Sequence, residues 1–344
     1  MKRFLRLVIG AGVTSALLCL GFALYLMSHG LDVAAGLVNL LRPHPAPVAS
    51  NPPMAQLHGY EVVWLGNLDS YDINESSGLT TSRVHPNTLW TLNDSGSEPR
   101  LFAMDTSGRL QGVFDVPGLD AFDWESMDAF NYQGTPALLI ADTGDNLRWR
   151  SSVYLHIVAE PQTLAATGQL QLLHSIEVTY PDGPRDSEAV AVDTARDRIL
   201  MLSKRRHPPE LYAIPLDSGR AVTARKVATL DHWPRPTEAD YEHFPKLAPY
   251  MLMPTGMDVF ADKLLITTYQ PAFLYDLRQL DAVQHIDMPR FGQREAVSFN
   301  LTGDQALLTR ERTKDAFAAE IIAIRFSPGG RDQPDNGVGQ PDGQ

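Results

Sequence analysis

Short apolar runs separated by turn residues recur along the chain between about residue 57 and residue 326. In the first unit the runs are SGLTTS, NTLWTL, RLFAMDT and LQGVFDV, with Pro, Gly, Asn and Asp between them. Apolar runs of about 4–8 residues bounded by turn residues are typical of β-strands. Three further units repeat this order of four runs, and a fifth offers only three before the pattern ends. The pattern predicts an all-β structure.

Each unit begins with the same short motif, in which a glutamate and a small residue precede an apolar run. The copies are Asn74–Leu79 (NESSGL), Asp123–Met127 (DWESM), Asp186–Val190 (DSEAV), Gln293–Val297 (QREAV) and a degenerate one at Pro254–Phe260 (PTGMDVF). Repetition at intervals of about 40–70 residues is typical of repeat architectures. It predicts a β-propeller of five four-stranded blades, in which the unassigned strand Tyr60–Leu68 completes the last blade. A sixth blade would have to use Trp233–Met253, which lacks alternation and is better interpreted as a long loop.

The amino terminus predicts a membrane anchor. Lys2, Arg3 and Arg6 precede the uncharged stretch Leu7–Met27, which is long enough to span a bilayer core of about 30 Å as a helix. The cations place this end in the cytoplasm, which predicts a single-pass protein of the bacterial inner membrane with its propeller in the periplasm. A cleaved signal peptide is the alternative. The predicted divisions are residues 1–28 as anchor or uncleaved signal, 29–56 as a Pro-rich extended linker, 57–326 as the propeller and 327–344 as a disordered tail.

Composition narrows the function classes. The net charge is −12, which argues against a nucleic-acid partner, because non-specific binding to phosphate backbones needs clustered lysine and arginine. Cys19 is the only cysteine, so the exported part has no disulfide. None of the ten histidines has the spacing of a zinc site, and no nucleophile elbow is present, so the sequence assigns no catalytic residue.

The motif glutamates are expected at one mouth of the central channel, because the first strand of a blade is innermost. The antiparallel second strands end at the same mouth, so the polar loops that follow them converge there. From these loops we predict ligand contacts by Asp94, Arg148, Lys204, Arg205, Tyr269, Arg310 and Arg312.

Crowded carboxylates need a compensating charge. Calcium is one candidate, because it prefers carboxylate and amide oxygens. Its predicted ligands are Glu75, Glu125, Asp142, Asp145, Asn146, Glu188 and Glu295. Ion pairing is the alternative, and the cations available for it are Arg148, Lys204, Arg205, Arg310 and Arg312. A third possibility is that the glutamates cap backbone amides between blades.

The segment Ala141–Asn146 (ADTGDN) superficially overlaps with calcium loops, but it lacks the downstream glutamate of a helix-loop-helix site. We expect a tight turn with Gly144 at positive φ, whose Asp and Asn side chains close local hydrogen bonds or contact a ligand.

ESSGL, LWTLNDSG, DWESM, ADTGDN and YPDGPRDSEA together resemble exported bacterial propellers related to the SdiA-regulated and phytase-like ("esterase-like") families. The resemblance covers most of residues 75–205. Calcium-dependent propellers of the lactonase and phytase kinds place acidic and amide ligands at the channel mouth. The resemblance implies that Glu75, Glu125, Asp142, Glu188 and Glu295 lie there. The chain departs from these families because it lacks the Asp-rich runs of propeller phytases and has Thr255 or Gly256 where the acidic ring would continue.

These expectations combine into a membrane-anchored periplasmic propeller that binds or hydrolyses a small anionic or ester ligand at a calcium-binding mouth. The enzyme classes that fit are metal-dependent esterase, lactonase and phosphoesterase. The alternative is a non-catalytic envelope scaffold or binding module with an envelope protein as its partner, because propellers host unrelated functions.

Overall fold

The predicted apolar runs form five β-sheets in the computed structural model, which describes residues 19–20, 22–28, 30–41, 45–289, 293–312 and 319–327. The chain enters through β1 (Ala55–Gln56) and β2 (Tyr60–Asn67). Blade 1 comprises β3 (Ser76–Thr81), β4 (Thr88–Asn93), β5 (Arg100–Asp105) and β6 (Leu110–Asp115). Blade 2 comprises β7 (Trp124–Tyr132), β8 (Thr135–Asp142), β9 (Val153–Ala159) and β11 (Leu172–Thr179), with the short β10 (Thr167–Gln169) before β11.

The remaining strands build three more blades. Blade 3 comprises β12 (Ala189–Asp193), β13 (Arg198–Leu202), β14 (Glu210–Pro215) and β16 (Arg225–Thr229), with the short β15 (Ala221–Thr223) before β16. Blade 4 comprises β17 (Gly256–Phe260), β18 (Lys263–Thr267), β19 (Ala272–Asp276) and β20 (Gln279–Ile286). Blade 5 comprises β21 (Arg294–Phe299), β22 (Gln305–Arg310), β23 (Glu320–Phe326) and the amino-terminal β2. The first strands β3, β7, β12, β17 and β21 contact one another in a closed cycle, which makes the fold a five-bladed propeller.

Closure of the ring by the amino-terminal strand is confirmed. Strand β2 runs antiparallel to β23, with Val63 opposite Ala323, and thereby supplies the outer strand that blade 5 lacks. The first and last strands of the ring are hydrogen-bonded to each other, so opening the ring requires breaking this ladder.

Three blades carry an additional short strand that the sequence pattern did not predict. Strands β10, β15 and β1 pair in parallel with the outer strands β6, β11 and β20 of the preceding blades. Each addition is only two or three residues long. Short additions of this kind cover part of an exposed sheet edge, which would otherwise offer unpaired backbone groups to another chain.

The core is divided into five apolar clusters, and each fills the space between two neighbouring blades. Trp90 and Trp124, both fully buried, belong to the cluster between blades 1 and 2. Two carboxyl groups on the inner strands also join blades. Asp128 accepts a hydrogen bond from the Val192 N–H (2.7 Å), and Asp258 accepts one from the Phe299 N–H (2.6 Å). Apolar packing and these inner contacts together fix the blades around the channel.

Residues 29–56, predicted as an extended linker, differ from that prediction at Val33–Leu40. Helix α1 (Val33–Leu40) forms there, and the Asp32 side chain caps it by accepting from the Ala35 N–H (2.9 Å). Gly36 lies so close to Trp149 that a Cβ would be 2.9 Å from its ring. The Ser151 N–H donates to the Gly30 carbonyl (2.7 Å). This segment is therefore docked on the loop that follows β8.

The long loop before blade 4 also has structure of its own. It contains helix α2 (Glu238–His243), whose capping box is formed by Thr237 and Asp240. The loop is tied to the amino-terminal segment because Val48 pairs with Thr237 and Asn51 exchanges two hydrogen bonds with the Arg235 backbone (2.7 and 2.8 Å). It supplies no blade, which agrees with the predicted count of five.

The predicted membrane helix falls largely on residues 1–18, which lie outside the described part of the chain, as do residues 328–344 of the predicted tail. Among the residues that are described, no helix is long and apolar enough to cross a bilayer.

Candidate functional site

A β-bulge at the start of the innermost strands creates the site. The pairing register shifts across Ser77 in blade 1, across Glu125 in blade 2 and across Glu295 in blade 5. A bulge leaves one residue out of the ladder and changes the direction of its side chain. Glu125 and Glu295 are these unpaired residues, so the motif places its glutamate where the strand is interrupted.

This geometry corrects the sequence alignment of the motifs. The carbonyls of Glu75, Asp123, Asp186 and Gln293 each accept a hydrogen bond from the N–H group of a residue one or two positions after the second strand of their blade, at 2.8–3.2 Å. These four residues are therefore equivalent. Two residues further on, Ser77, Glu125, Glu188 and Glu295 form an inner set. The expectation that Glu75 occupies the same position as Glu125 is wrong by two residues, because the bulge in blade 1 falls on Ser77. In blade 4 Thr255 and Gly256 interrupt the acidic series, as the sequence indicated.

One side of the mouth is neutralised by the protein itself. Lys204 is buried, and its ammonium group donates to the Glu188 carboxylate and lies 3.5 Å from the Tyr269 hydroxyl. Tyr269 is hydrogen-bonded to Glu295. Burial lowers the pKa of Lys204, but Glu188 and Glu295 outweigh it and keep the pKa above its usual value. Burial raises the pKa of Glu188, and the charge of Lys204 opposes this effect. This side matches the ion-pairing alternative.

The other side of the mouth is an acidic cluster made by Asp94, Asp123 and Glu125. Each offers a carboxylate oxygen, and these oxygens all lie within 4.8 Å of one another. Among the described residues, no lysine, arginine or histidine forms an ion pair with any of the three. Asp94 comes from the loop after β4, and the other two come from the start of blade 2. The cluster thus joins two neighbouring blades.

Burial and mutual repulsion are visible in the protonation of this cluster. Burial, with the charges of Asp94 and Asp186, raises the pKa of Asp123 to about 7. Burial also raises the pKa of Glu125 well above its usual value, with Glu188 and Asp94 adding to the effect. Glu311 borders the cluster, and burial together with Asp94 and Glu75 raises its pKa to about 7. Charged carboxylates are therefore costly here unless a proton or a cation compensates them.

Gly144 allows the two blade 2 carboxylates to lie under the backbone of the next loop. A Cβ at this position would be 2.4 Å from Glu125 Oε1 and 2.5 Å from Asp123 Oδ2. The Gly144 N–H donates to the Asp123 carbonyl (3.2 Å). The expected positive φ is wrong, because the backbone of Gly144 is outside the left-handed region. Glycine is required by close approach to the carboxylates instead.

Several predicted metal ligands hold the loop rather than face an ion. Asp142 pairs with Arg150 (2.8 Å), and Asp145 accepts from the Trp149 and Arg150 N–H groups (both 2.9 Å). Asn146 accepts from Arg205. Burial raises the pKa of Asp145 to about 6 although both N–H groups oppose it. With Glu188 and Glu295 occupied by Lys204 and Tyr269, Glu125 is the member of the predicted set found in the acidic cluster.

The remaining predicted residues are placed as follows. Glu75 is partly buried beside Asp94, and burial and that charge raise its pKa. Arg205 donates to Asp186 (2.6 Å), and Arg148 donates to the Asn39 carbonyl (3.1 Å). Arg310 Nε lies 3.8 Å from Glu320, whereas Arg312 donates to the Leu68 carbonyl (2.8 Å) and stacks on Tyr71. The structure thus gives each of these arginines at least one protein partner.

Asp123 and Glu311 were not among the residues singled out from the sequence. Asp123 could have been found by aligning DWE of blade 2 with DSE of blade 3. In both motifs an aspartate lies two residues before the inner glutamate. Glu311 lies between two arginines, so only the fold shows that its carboxyl group reaches the cluster.

Comparisons with known proteins bear on the fold alone. No family model matches the chain, and no match is found among curated proteins. Solved structures that resemble it include a gluconolactonase from Xanthomonas campestris, at 10% identity and a TM-score of 0.44 over 83% of this chain and 99% of that chain. A luciferin-regenerating enzyme (11% identity, TM-score 0.45, 78% and 95% coverage) and a Myxococcus xanthus glutaminyl cyclase (9%, 0.47, 80% and 99%) are similar at the same level. Scores of this size carry no argument about activity.

Proposed function

We propose that the protein binds a divalent cation, with calcium as the expected ion, in the mouth of the propeller at Asp94, Asp123 and Glu125. The observation that carries this proposal is the approach of three carboxylate oxygens within 4.8 Å of one another, with no ion pair to a described basic residue. In this proposal the cation helps to bind or hydrolyse a small anionic or ester ligand.

The donor set fits a hard cation. Two unit charges about 4 Å apart repel by about 4 kcal/mol at an effective dielectric constant of about 20, so three carboxylates favour a compensating charge strongly. Calcium accepts about six to eight oxygens, and three carboxylates supply at most six. Gly144 fits the same account, because any larger residue would push Glu125 and Asp123 away from the position they share.

Hydrolysis would use the cation as a Lewis acid that polarises a carbonyl or phosphoryl oxygen. Lys204 is already paired with Glu188, so the cation itself would supply the positive charge that favours an anionic ligand. The esterase, lactonase and phosphoesterase classes remain the proposed chemistry, supported by the resemblance to phytase-like propellers in residues 75–205.

We also propose that the protein is anchored in the inner membrane with its propeller in the periplasm. The support is the uncharged stretch Leu7–Met27 behind three cations. Detection of a soluble periplasmic form with a new amino terminus near Ser28 would refute the anchor and show that the segment is a cleaved signal peptide.

Thermal unfolding tests the metal proposal. The protein is stripped with EDTA, and its melting temperature is followed as Ca²⁺ is added. A ligand bound only by the folded state must raise this temperature, by an amount that corresponds to about 2.7 kcal/mol at 100 times the dissociation constant. Asp123→Asn should remove most of the rise. An identical rise in Asp123→Asn would place the ion elsewhere, and no rise in the wild type would exclude the cation.

Activity is tested with a panel of lactones, phosphate esters and sugar phosphates. Calcium-dependent turnover of one class would identify the reaction. A non-catalytic envelope scaffold is the second candidate, and it is favoured by the pairing of Glu188 with Lys204 and the hydrogen bond between Glu295 and Tyr269. That candidate requires no turnover on the panel and capture of an envelope protein by the propeller.

A further inference from the structure

A basic cavity lies between the amino-terminal segment, the loops after β8 and β13, and the long loop before blade 4. Its volume is about 690 Å³, and its charged lining consists of Arg148, Arg205, Arg206 and Arg235. No aspartate or glutamate is among the lining residues that the structure describes. The whole chain has 41 acidic residues against 29 lysines and arginines, so four arginines around one space differ sharply from its average composition.

Two of these arginines have acidic partners that do not line the cavity. Arg205 donates to Asp186, which is 1% exposed and also accepts from the Asp145 N–H (2.9 Å). Arg206 lies 3.9 Å from Glu210, a carboxylate that Arg185 and Lys226 share. Arg205 and Arg206 thus each have an acidic partner outside the cavity lining, and arginines are the only charged residues in the lining that the structure describes.

The amino-terminal segment completes the cavity. Asn39 and Arg148 exchange two hydrogen bonds, from the Asn39 amide to the Arg148 carbonyl (3.0 Å) and from the Arg148 guanidinium to the Asn39 carbonyl (3.1 Å). Asn51 fixes the backbone at Arg235. Contacts within the protein therefore bring arginines from different loops together around one cavity.

The uncharged lining indicates the rest of the ligand. Burial, followed by Arg235, lowers the pKa of His207 to about 4, so its imidazole is neutral at pH 7 and adds hydrogen bonding without charge. Leu40, Tyr250 and Met253 contribute apolar surface. Guanidinium groups match phosphate oxygens in charge and in the geometry of their N–H groups.

We propose that this cavity binds a phosphate monoester that carries an apolar group. A smaller adjoining cleft shares Arg205, Arg206 and His207 with the cavity and reaches Lys204 at the mouth. The anionic end of the ligand would lie in the cavity, and its other end would extend through this cleft toward Lys204 at the mouth. In this last respect the proposal rests on the proposed function, whereas anion binding by the cavity does not require the cation.

The experiment is a calorimetric titration of the full-length protein in detergent with phenyl phosphate, in the presence of EDTA. Saturable binding is expected without calcium, which separates this site from the cation site. Arg206→Gln and Arg235→Gln should each weaken binding about tenfold, the loss expected for one charge-assisted hydrogen bond. Arg225→Gln is the matched control, because Arg225 is exposed on β16 and does not line the cavity.

Two outcomes would overturn the proposal: absence of saturable phenyl phosphate binding by the wild type, or equal affinity of Arg206→Gln, Arg235→Gln and the wild type when all three melt as folded proteins. Competition separates the sources of the ligand. Displacement by dihexanoyl phosphatidate below its micellar concentration identifies a lipid headgroup, and displacement by soluble phosphate esters alone identifies a soluble metabolite. If the wild type binds phenyl phosphate but not calcium, the cation site is refuted and the cavity proposal is supported.

Discussion

Replacing Gly144 by alanine tests whether the acidic cluster depends on close approach of the backbone. The new Cβ would be 2.4 Å from Glu125 Oε1 and 2.5 Å from Asp123 Oδ2. Optimal contacts between nonbonded atoms are at about 3.5 Å, so each carboxylate must retreat by about 1 Å. Calcium–oxygen distances span only about 2.3–2.6 Å, and a retreat of this size removes a ligand from the ion.

Stability and affinity should respond differently to Gly144→Ala. Overpacking costs about 1–3 kcal/mol. Loss of backbone freedom in the unfolded chain offsets about 0.4–1 kcal/mol of this, because the φ of Gly144 suits alanine. We expect a net loss of about 1–2 kcal/mol in the free energy of unfolding without metal. Calcium affinity should fall at least tenfold, since one charged contact is worth about 1.5–3 kcal/mol.

The assay is urea unfolding with EDTA, followed by the rise in melting temperature on adding calcium. Gly219→Ala is the control, because a Cβ at Gly219 meets nothing within 4 Å and its φ is also outside the left-handed region. That variant should keep the stability and the calcium response of the wild type. A calcium response in Gly144→Ala equal to that of Gly219→Ala would show that the carboxylates under Gly144 do not hold the ion.

Three further predictions concern protonation, the buried ion pair and the docked amino-terminal segment. The pKa of Asp123 is raised from near 4 to about 7, so the folded state holds this proton more tightly than the unfolded state does. The protonated Asp123 therefore contributes fully to stability below pH 4, and this contribution is lost as the pH rises through 7. Between pH 5 and pH 8 the unfolding free energy of the metal-free protein should therefore fall by about 3 kcal/mol, and its melting temperature should fall with it. Asp123→Asn should flatten this dependence in differential scanning calorimetry. A metal-free profile that rises with pH and is unchanged by the substitution would contradict the prediction. Lys204→Met leaves Glu188 buried without its cation and should lower the free energy of unfolding, measured in urea, by about 3–5 kcal/mol. The double variant Lys204→Met with Glu188→Gln should recover most of this loss. An equal loss in the single and double variants would show that packing, and not charge, is responsible. Asn51→Ala removes two hydrogen bonds to the Arg235 backbone, worth about 0.5–1.5 kcal/mol each. Hydrogen exchange should therefore become faster in residues 45–54 but not in β2. Unchanged exchange in residues 45–54 would mean that other contacts hold this segment.

The architecture was predictable from the sequence because blades repeat. Each blade reuses the same order of strand-forming runs and turns, and the leftover strand at Tyr60–Leu68 had one vacant place, beside β23. The short parallel additions β1, β10 and β15 are two or three residues long and have no hydrophobic pattern of their own. Only the neighbouring blade edge makes them strands, so periodicity could not reveal them.

The site was predictable in location and not in detail. The motif contains Glu125, Glu188 and Glu295, which the structure places at equivalent positions, but the bulge that moves the blade 1 equivalent to Ser77 depends on pairing with β4. Which carboxylates pair with a lysine or arginine also depends on contacts between blades, such as that of Lys204 in blade 3 with Tyr269 in blade 4. The docking of α1 was not predicted because a Pro-rich composition outweighed the apolar stretch Val33–Leu40, which packs against Trp149.

The measurement that tests the central claim most directly is calorimetric titration of Ca²⁺ into the metal-free protein and into Glu125→Gln. Glu125→Gln keeps the shape of the side chain while removing the charge that the ion requires. The account predicts one calcium ion bound per wild-type chain and no saturable binding by Glu125→Gln, with Gly219→Ala binding as the wild type does. Absence of binding by the wild type, or undiminished binding by Glu125→Gln, would contradict a cation site at Asp94, Asp123 and Glu125.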